Sequence, residues 1–235
     1  MALTPQSNEA FIREVDEGLR RDQAIALWRR WGIALVALIV VALAAFGGWL
    51  WWQSYRLEQA GAQSIEFEKA IEELANNRPD AASPMLAKLA KDGTPGYRAS
   101  AKFVEADIAL QKNNLKLAAA KFAEVAGDGS VAPPLRELAL LRQTLAEYDT
   151  LKPQAVIDRL RPLAVKDNAY YGTAAEMTAV AHLRMGRRDL AGRLFGEIAK
   201  DESVPQTIRQ RAVQMAGVLG VDAVPADAGE DKAKQ

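Results

Sequence analysis

Cysteine is absent from this 235-residue sequence, and histidine occurs once, at His182. The absence of cysteine excludes disulfide bonds, thiolate metal sites, a cysteine nucleophile and a lipid-bearing N-terminal cysteine from these residues. His182 lies on a predicted helix without a conspicuous carboxylate at ligand spacing, which favours a structural or solvent-exposed role for it.

Familiar catalytic motifs are missing as well. The sequence has no Gly-rich phosphate loop, no Gly-x-Ser-x-Gly nucleophile elbow and no His-Glu-x-x-His zinc motif. We therefore predict no enzymatic activity, no cofactor, no metal and no small-molecule substrate. One alternative stays open, in which folding brings carboxylates from distant helices together in a polar pocket.

The charges show no excess of either sign, with 30 Lys and Arg residues against 30 Asp and Glu residues. Because no basic stripe interrupts this balance, we expect no nucleic-acid partner. Alternation of apolar and polar residues with a period of two is scarce, while Ala and Leu are abundant. This pattern predicts an all-α fold.

Residues 31–52 form an apolar run of 22 residues without a charge. A helix of this length spans about 33 Å, enough for a hydrocarbon core of roughly 30 Å. Aromatic residues that suit the two membrane interfaces lie at both ends of the run: Trp28 and Trp31 at its start, and Trp49, Trp51, Trp52 and Tyr55 at its end. We predict a transmembrane helix over residues 31–52.

Two other interpretations of this run are possible. A buried core helix of the same length would normally contain some polar residues. A cleaved signal peptide is suggested by Ala42-Leu43-Ala44, which resembles a cleavage site. However, 30 residues with five acids precede the apolar run, and the run continues past that site to Trp52. Both features favour a retained anchor.

Positive charges predict the orientation of the anchor. Residues 11–30 contain five Arg residues, whereas residues 53–72 contain only Arg56 and Lys69. The excess before the span places residues 1–30 in the cytoplasm and the chain from residue 53 onward across the membrane. Within the cytoplasmic segment, residues 9–28 show an apolar stripe typical of a short amphipathic helix, which either rests on the membrane or docks a partner.

Beyond the membrane, apolar spacing and turn residues predict a series of helices. Ser83-Pro84 is interpreted as a helix start, and Thr94-Pro95 as another. The expected helices cover residues 54–76, 83–91, 95–111, 115–127, 133–149, 153–165, 169–185, 188–200 and 204–219. Residues 221–235 lack periodicity and large apolar groups, which predicts a disordered tail.

The sequence repeats itself within this region. Residues 96–126 align without gaps on residues 169–199, with nine identities in 31 positions. These are Tyr97/Tyr170, Ala101/Ala174, Ala106/Ala179, Leu110/Leu183, Leu117/Leu190, Ala118/Ala191, Phe122/Phe195, Glu124/Glu197 and Ala126/Ala199. The offset of 73 is about twice the 34-residue tetratricopeptide period, so one further repeat fits between the copies.

The repeated residues suit paired helices. Ala106, Ala118 and their counterparts permit close helix approach, and Phe122 and Phe195 fill the space between neighbouring pairs. Gly186 ends its helix where a left-handed residue is favoured. The pattern resembles a divergent tetratricopeptide repeat, although the usual early Trp and the Leu before the small residue are absent. We predict a tetratricopeptide-like domain over residues 53–220, with a generic helical bundle as the alternative.

Such arrays commonly bind a peptide or a partner domain in a concave groove lined by the first helix of each pair. The candidate partner-binding residues on those helices are Phe103, Asp107, Leu110, Glu176, Val180 and Leu183. The mixture of apolar and acidic residues favours apolar or weakly basic segments, rather than the acidic C-termini that need Lys and Asn at these positions.

The order of parts, together with the lead-in FIREVDEGLRRDQ before the span, resembles the YfgM family of ancillary SecYEG translocon subunits. The resemblance implies a single-pass protein of the bacterial inner membrane with a periplasmic domain. Its implied partners are translocon subunits and a membrane-anchored periplasmic folding factor, and its implied role is to help exported proteins reach chaperones. The alternative is a membrane-tethered scaffold for envelope assembly or cell division.

Overall fold

The computed structural model describes the backbone of residues 5–223 and the side chains of residues 28–223, except those of Arg30 and Gln59. The apolar stripe expected on residues 9–28 and most of the predicted tail, residues 224–235, therefore lie outside the described side chains. Every regular element between residues 5 and 223 is a helix, which confirms the all-α prediction. The chain divides into two compact units, residues 1–59 and residues 60–235.

Nine helices occur within the described part of the chain. They are α1 (Pro5–Ala75), α2 (Pro79–Asp92), α3 (Pro95–Gln111), α4 (Leu115–Ala126), α5 (Pro133–Ala146), α6 (Pro153–Leu160), α7 (Tyr171–Arg184), α8 (Arg188–Lys200) and α9 (Gln206–Val218).

In the first unit, α1 contains the apolar run and is long and apolar enough to cross a membrane. No residue in its most apolar stretch is buried; Ile33, for example, is 90% exposed and Leu38 is 70% exposed. A core helix would have a covered face, so this exposure favours the membrane-spanning interpretation. Near the end of the run, the ring of Trp51 stacks on that of Tyr55 with centroids 6.2 Å apart, as suits a membrane interface.

The second unit is a stack of helix pairs. The last part of α1 shares an apolar cluster with α2, α3 pairs with α4, α5 with α6 and α7 with α8, and α9 follows. From α2 to α9 each helix packs against the next in sequence, and α9 also contacts α7. This is the order of the helices predicted for residues 54–219, and most boundaries agree with the prediction within about three residues.

The helix predicted over residues 54–76 is the end of the continuous helix α1, and two later boundaries also differ from the prediction. Helix α2 begins at Pro79 rather than at Ser83, and Pro84 lies inside it. The Ser83 hydroxyl donates to the Pro79 carbonyl oxygen at 2.8 Å instead of capping a helix start. Helix α6 ends at Leu160, five residues before the predicted end at residue 165, and a series of turns leads to α7.

Small side chains make the helix contacts within and between pairs. Ala106 of α3, Ala118 of α4 and their counterparts Ala179 and Ala191 are all 0% exposed. Phe122 is likewise buried, as is Phe195 of the other copy. The burial of the alanines agrees with close approach of the helices. Phe122 lies in the apolar cluster of α3 and α4, and Phe195 lies in the cluster of α7, α8 and α9, so filling of the space between pairs stays a prediction.

Most first helices end in the same hydrogen-bonded cap. After α3, Asn113 adopts a φ of 54°, and the Asn114 N–H donates to the Ala109 carbonyl oxygen at 2.8 Å. After α7, Gly186 has a φ of 71°, which confirms the predicted left-handed glycine. Asn77 after α1 and Gly220 after α9 also have positive φ. This Schellman geometry satisfies carbonyl groups that the last helical turn would otherwise leave unpaired.

The two sequence copies also share the turn between one pair and the next. The Asp128 Oδ1 accepts hydrogen bonds from the Ser130 N–H at 3.0 Å and the Ser130 hydroxyl at 2.6 Å. Asp201 accepts the same two bonds from Ser203 at the same distances. In the first copy alone, the Arg98 guanidinium also donates to Asp128 at 2.8 Å and joins α3 to the turn.

The chain after α9 folds back onto α8. Gly192 and Gly196 present a surface without side chains, and Val221 packs against both of them. Ala223 is 2% exposed and belongs to the same apolar cluster. Residues 221–223 are thus part of the packed domain rather than of a disordered tail, because the two glycines leave room for their side chains.

We expect Gly192→Val to destabilise the repeat domain by about 1–3 kcal/mol, because an added Cβ would lie 3.0 Å from a Val221 methyl carbon. Gly217→Val is the matched control, since a Cβ at Gly217 meets nothing within 4 Å. Thermal unfolding followed by circular dichroism measures both variants. Equal midpoints for the two would contradict the packing of the C-terminal segment on α8.

The hydrogen bonds from Ser130 and Arg98 lower the pKa of Asp128 to about 2. Since the folded pKa lies below the unfolded value, the stabilisation from this carboxylate is present above about pH 4 and is lost as the pH falls towards 2. Asp128→Asn should therefore lower the unfolding midpoint at pH 6 and have progressively less effect below pH 4. A stability difference that does not change between pH 6 and pH 2.5 would refute this role.

Candidate functional site

Helix α7 presents one continuous stripe of side chains on the first-helix side of the array. Thr173, Glu176, Met177 and Val180 follow one another at spacings of three, one and three residues, which places them on one helix face. Arg184 continues the stripe one turn later. The preceding first helix, α5, contributes Leu145 opposite this stripe.

These residues line a groove of about 270 Å³, which we call the α5–α7 groove. Its lining residues are Leu145, Tyr148, Thr173, Glu176, Met177 and Val180. Leu145 is 61% exposed although it is a large apolar residue, whereas Met177 at the groove is 8% exposed. An exposed leucine beside a buried methionine gives an apolar surface that a partner side chain can cover.

Hydrogen bonds hold Tyr148 in the wall of the groove. Its hydroxyl donates to the Met177 carbonyl oxygen at 2.9 Å. The Arg184 guanidinium lies 5.4 Å from the centre of the Tyr148 ring and donates to the Tyr148 carbonyl oxygen at 2.8 Å. Burial raises the pKa of the Tyr148 phenol, so it remains a neutral hydrogen-bond donor at physiological pH.

Glu176, at the groove, is already engaged within the chain. Its carboxylate accepts two hydrogen bonds from the Arg211 guanidinium of α9, at 2.9 and 2.7 Å. This bidentate contact raises the pKa of Arg211. The pair neutralises the acid, so Glu176 does not give the groove a net negative charge.

In the first sequence copy, Arg142 of α5 covers the surface of α3 that corresponds to the α7 stripe. The Arg142 guanidinium lies 4.7 Å from the centre of the Phe122 ring and 6.0 Å from that of Phe103. It also forms an ion pair with Asp107. Arg142 thereby occupies the surface of α3 at which a partner was expected to bind.

The six predicted groove residues are therefore separated into three environments. Phe103 and Asp107 contact Arg142, while Glu176 and Val180 line the α5–α7 groove. The remaining two pack against apolar clusters: Leu110 with the core between α3 and α4, and Leu183 with the core around α8 and α9. Contact of any of the six residues with a partner stays a prediction. Because Asp107 and Glu176 are both in ion pairs within the chain, the basis for expecting weakly basic ligands is removed.

Several groove residues were missed by the sequence reasoning. Leu145 and Tyr148 come from the repeat between the two aligned copies, so the offset of 73 could not reveal them. Met177 and Arg184 were available from helical spacing, since they extend the stripe that contains Glu176 and Val180.

A second groove has an ion pair among its lining residues. A groove of about 390 Å³ lies among α2, α3 and α4 and includes Leu117, Glu105 and Lys121. We call it the α2–α4 groove; the Lys121 ammonium pairs with Glu105 there at 2.7 Å. Across the side chains that the structure describes, no cluster of three or more His, Cys, Asp or Glu residues could hold a metal ion.

Comparison with known proteins agrees with this architecture. The model of the family described as tetratricopeptide repeat-like domain matches residues 26–216, which is most of the chain. The chain is similar to the ancillary SecYEG translocon subunit of Escherichia coli (strain K12), with 24% identity over 174 residues, 74% of this chain and 82% of that protein. No solved structure matches this chain. Both matches confirm the resemblance found in the sequence, and the chain belongs to the tetratricopeptide repeat-like domain family.

Proposed function

We propose that this protein is a membrane-anchored adaptor that binds other proteins through its repeat domain. The α5–α7 groove is the observation that carries the proposal. It combines an exposed Leu145 with a buried Met177 on the first-helix side of the array, where such domains commonly bind their ligands.

The fold supports binding better than catalysis. The groove contains one acid, Glu176, whose carboxylate is held by Arg211, and one phenol, Tyr148, whose hydroxyl is held by a backbone carbonyl group. Neither the acid nor the phenol is thus free to act as a base or nucleophile. Its apolar walls instead suit the side chain of a bound polypeptide.

We further propose that the anchor is residues 31–52, with residues 1–30 in the cytoplasm and the repeat domain in the periplasm. The exposed apolar surface of α1 supports a lipid environment, and the distribution of Arg residues supports the orientation. The similarity to an ancillary SecYEG translocon subunit supports a site of action at the Sec translocon. There the domain would bind exported proteins or a membrane-anchored folding factor and assist their transfer to chaperones.

The proposed topology predicts that alkaline phosphatase fused after Gln235 is active, because the enzyme is active in the periplasm. A fusion after Arg30 is the matched control and should be inactive. Intact-protein mass spectrometry of membranes should also detect residues 1–30, which a cleaved signal peptide would lack. An inactive C-terminal fusion, or a mature chain that begins near residue 45, would contradict the anchor.

The proposed partners can be identified with a photo-crosslinking amino acid at Leu145, in the α5–α7 groove. Ultraviolet irradiation of native membranes should link this position to translocon subunits, exported chains or a periplasmic folding factor. The matched control carries the same amino acid at Leu117, in the α2–α4 groove, which is 45% exposed.

Recovery of cell-division or envelope-assembly proteins at Leu145, without translocon components, would favour the scaffold alternative. Equal crosslinking at Leu145 and Leu117 would contradict the assignment of the α5–α7 groove as the binding surface.

A further inference from the structure

The charges around the α5–α7 groove are arranged asymmetrically. In the groove wall, Glu176 and Arg211 neutralise each other through two hydrogen bonds. Beside the groove, Arg184 lies over the ring of the lining residue Tyr148 and takes part in none of the ion pairs among the described side chains. The groove therefore has a neighbouring cation that no carboxylate of the described side chains neutralises by direct contact.

Two acids adjoin Tyr148 in sequence: Glu147, which forms an ion pair with Arg159, and Asp149, whose side chain is exposed. Burial raises the pKa of the Tyr148 phenol most; Arg184 lowers this pKa, and Asp149 raises it by less than Arg184 lowers it. The cation therefore has the larger influence on the groove-lining phenol.

Arg184 is also held in position for recognition. Its guanidinium donates to the Tyr148 carbonyl oxygen at 2.8 Å while its face lies over the aromatic ring. A guanidinium group has five N–H donors, so these contacts leave others available to a ligand. Because the ring and the carbonyl group already restrict the side chain, less conformational entropy is lost when a carboxylate binds.

We infer that the α5–α7 groove binds an extended polypeptide segment in which an acidic residue stands next to a large aliphatic residue. The aliphatic side chain would lie against Leu145, Met177 and Val180, and the neighbouring carboxylate would accept hydrogen bonds from Arg184. This inference rests on the proposed protein-binding function and defines the chemistry of its ligand. It reverses the preference for weakly basic segments that the sequence had suggested.

The preference can be measured with the full-length protein in nanodiscs and three fluorescein-labelled synthetic peptides. Each peptide has a central leucine in a Gly-Ser background, flanked by aspartate, lysine or serine. Fluorescence anisotropy should show the aspartate peptide binding about fivefold more tightly than the serine peptide, and the lysine peptide more weakly than both. Equal affinities, a preference for lysine or no binding would overturn the inference.

Variants of Arg184 test the source of the preference. Arg184→Gln should remove the difference between the aspartate and lysine peptides, and Arg184→Glu should reverse their order. Circular dichroism verifies that both variants keep their helical content. A preference for aspartate that persists in Arg184→Glu would show that another cation is responsible and would overturn the assignment.

A second pair of variants tests the location. Leu145→Asp should weaken binding of every peptide by about tenfold or more, because it places a charge on the apolar wall. Leu117→Asp, in the α2–α4 groove, should leave all affinities unchanged. Equal effects of the two variants would overturn the location.

The peptide assay contains no translocon, so its result is independent of the partners recovered from native membranes. Selective peptide binding without translocon crosslinks would leave the ligand chemistry standing and remove the proposed site of action. Translocon crosslinks at Leu145 without selective peptide binding would support the proposed site of action and overturn the ligand chemistry.

Discussion

Close approach of helices at positions with small side chains is the constraint on which the repeat domain depends. Ala106, Ala118, Ala179 and Ala191 are fully buried where the two helices of a pair meet, so each pair can pack with its backbones near one another. Each copy also buries one large residue in the apolar cluster beside these alanines, Phe122 in one copy and Phe195 in the other. A stack built in this way keeps its first helices in register, and that register brings α5 and α7 to either side of one groove.

The same register determines which charges remain available on the first-helix side. Arg142 pairs with Asp107 across α3 and α5, and Arg211 pairs with Glu176 across α7 and α9. Both acids that the sequence places on this side are thereby neutralised, whereas Arg184 contacts an aromatic ring and a carbonyl group instead of a carboxylate. The apolar groove and its neighbouring cation are consequences of how neighbouring repeats align.

Local sequence signals predicted much of the fold. Helical spacing with Pro95 at a helix start and Gly186 at a helix end located α3 and α7 closely, since these signals act within a few residues. The Ser83-Pro84 start was wrong because Pro79 provides an earlier one and the helix accommodates Pro84 in its interior. The aligned copies could also have been extended to Asp128 and Asp201, whose shared turn with a serine two residues later is visible in the sequence.

The candidate site was less predictable, for a physical reason. Helical periodicity shows which residues share a face, so Glu176 and Val180 were found, but it does not show which residue of the next helix lies opposite. Arg142 and Arg211 contact acids 35 residues earlier, a separation set by the packing of whole pairs. Likewise, the composition of residues 221–223 did not show that they pack against Gly192 and Gly196 of α8.

Methyl NMR spectroscopy tests most directly whether the α5–α7 groove holds a polypeptide from the translocon or its clients. The full-length protein in nanodiscs carries a labelled methyl group at Met177 in the groove and another at Met85, which packs in the apolar cluster around α2. Addition of purified translocon with an exported chain should shift or broaden the Met177 resonance and leave that of Met85 unchanged. An unchanged Met177 resonance under conditions in which the two proteins bind would contradict the account.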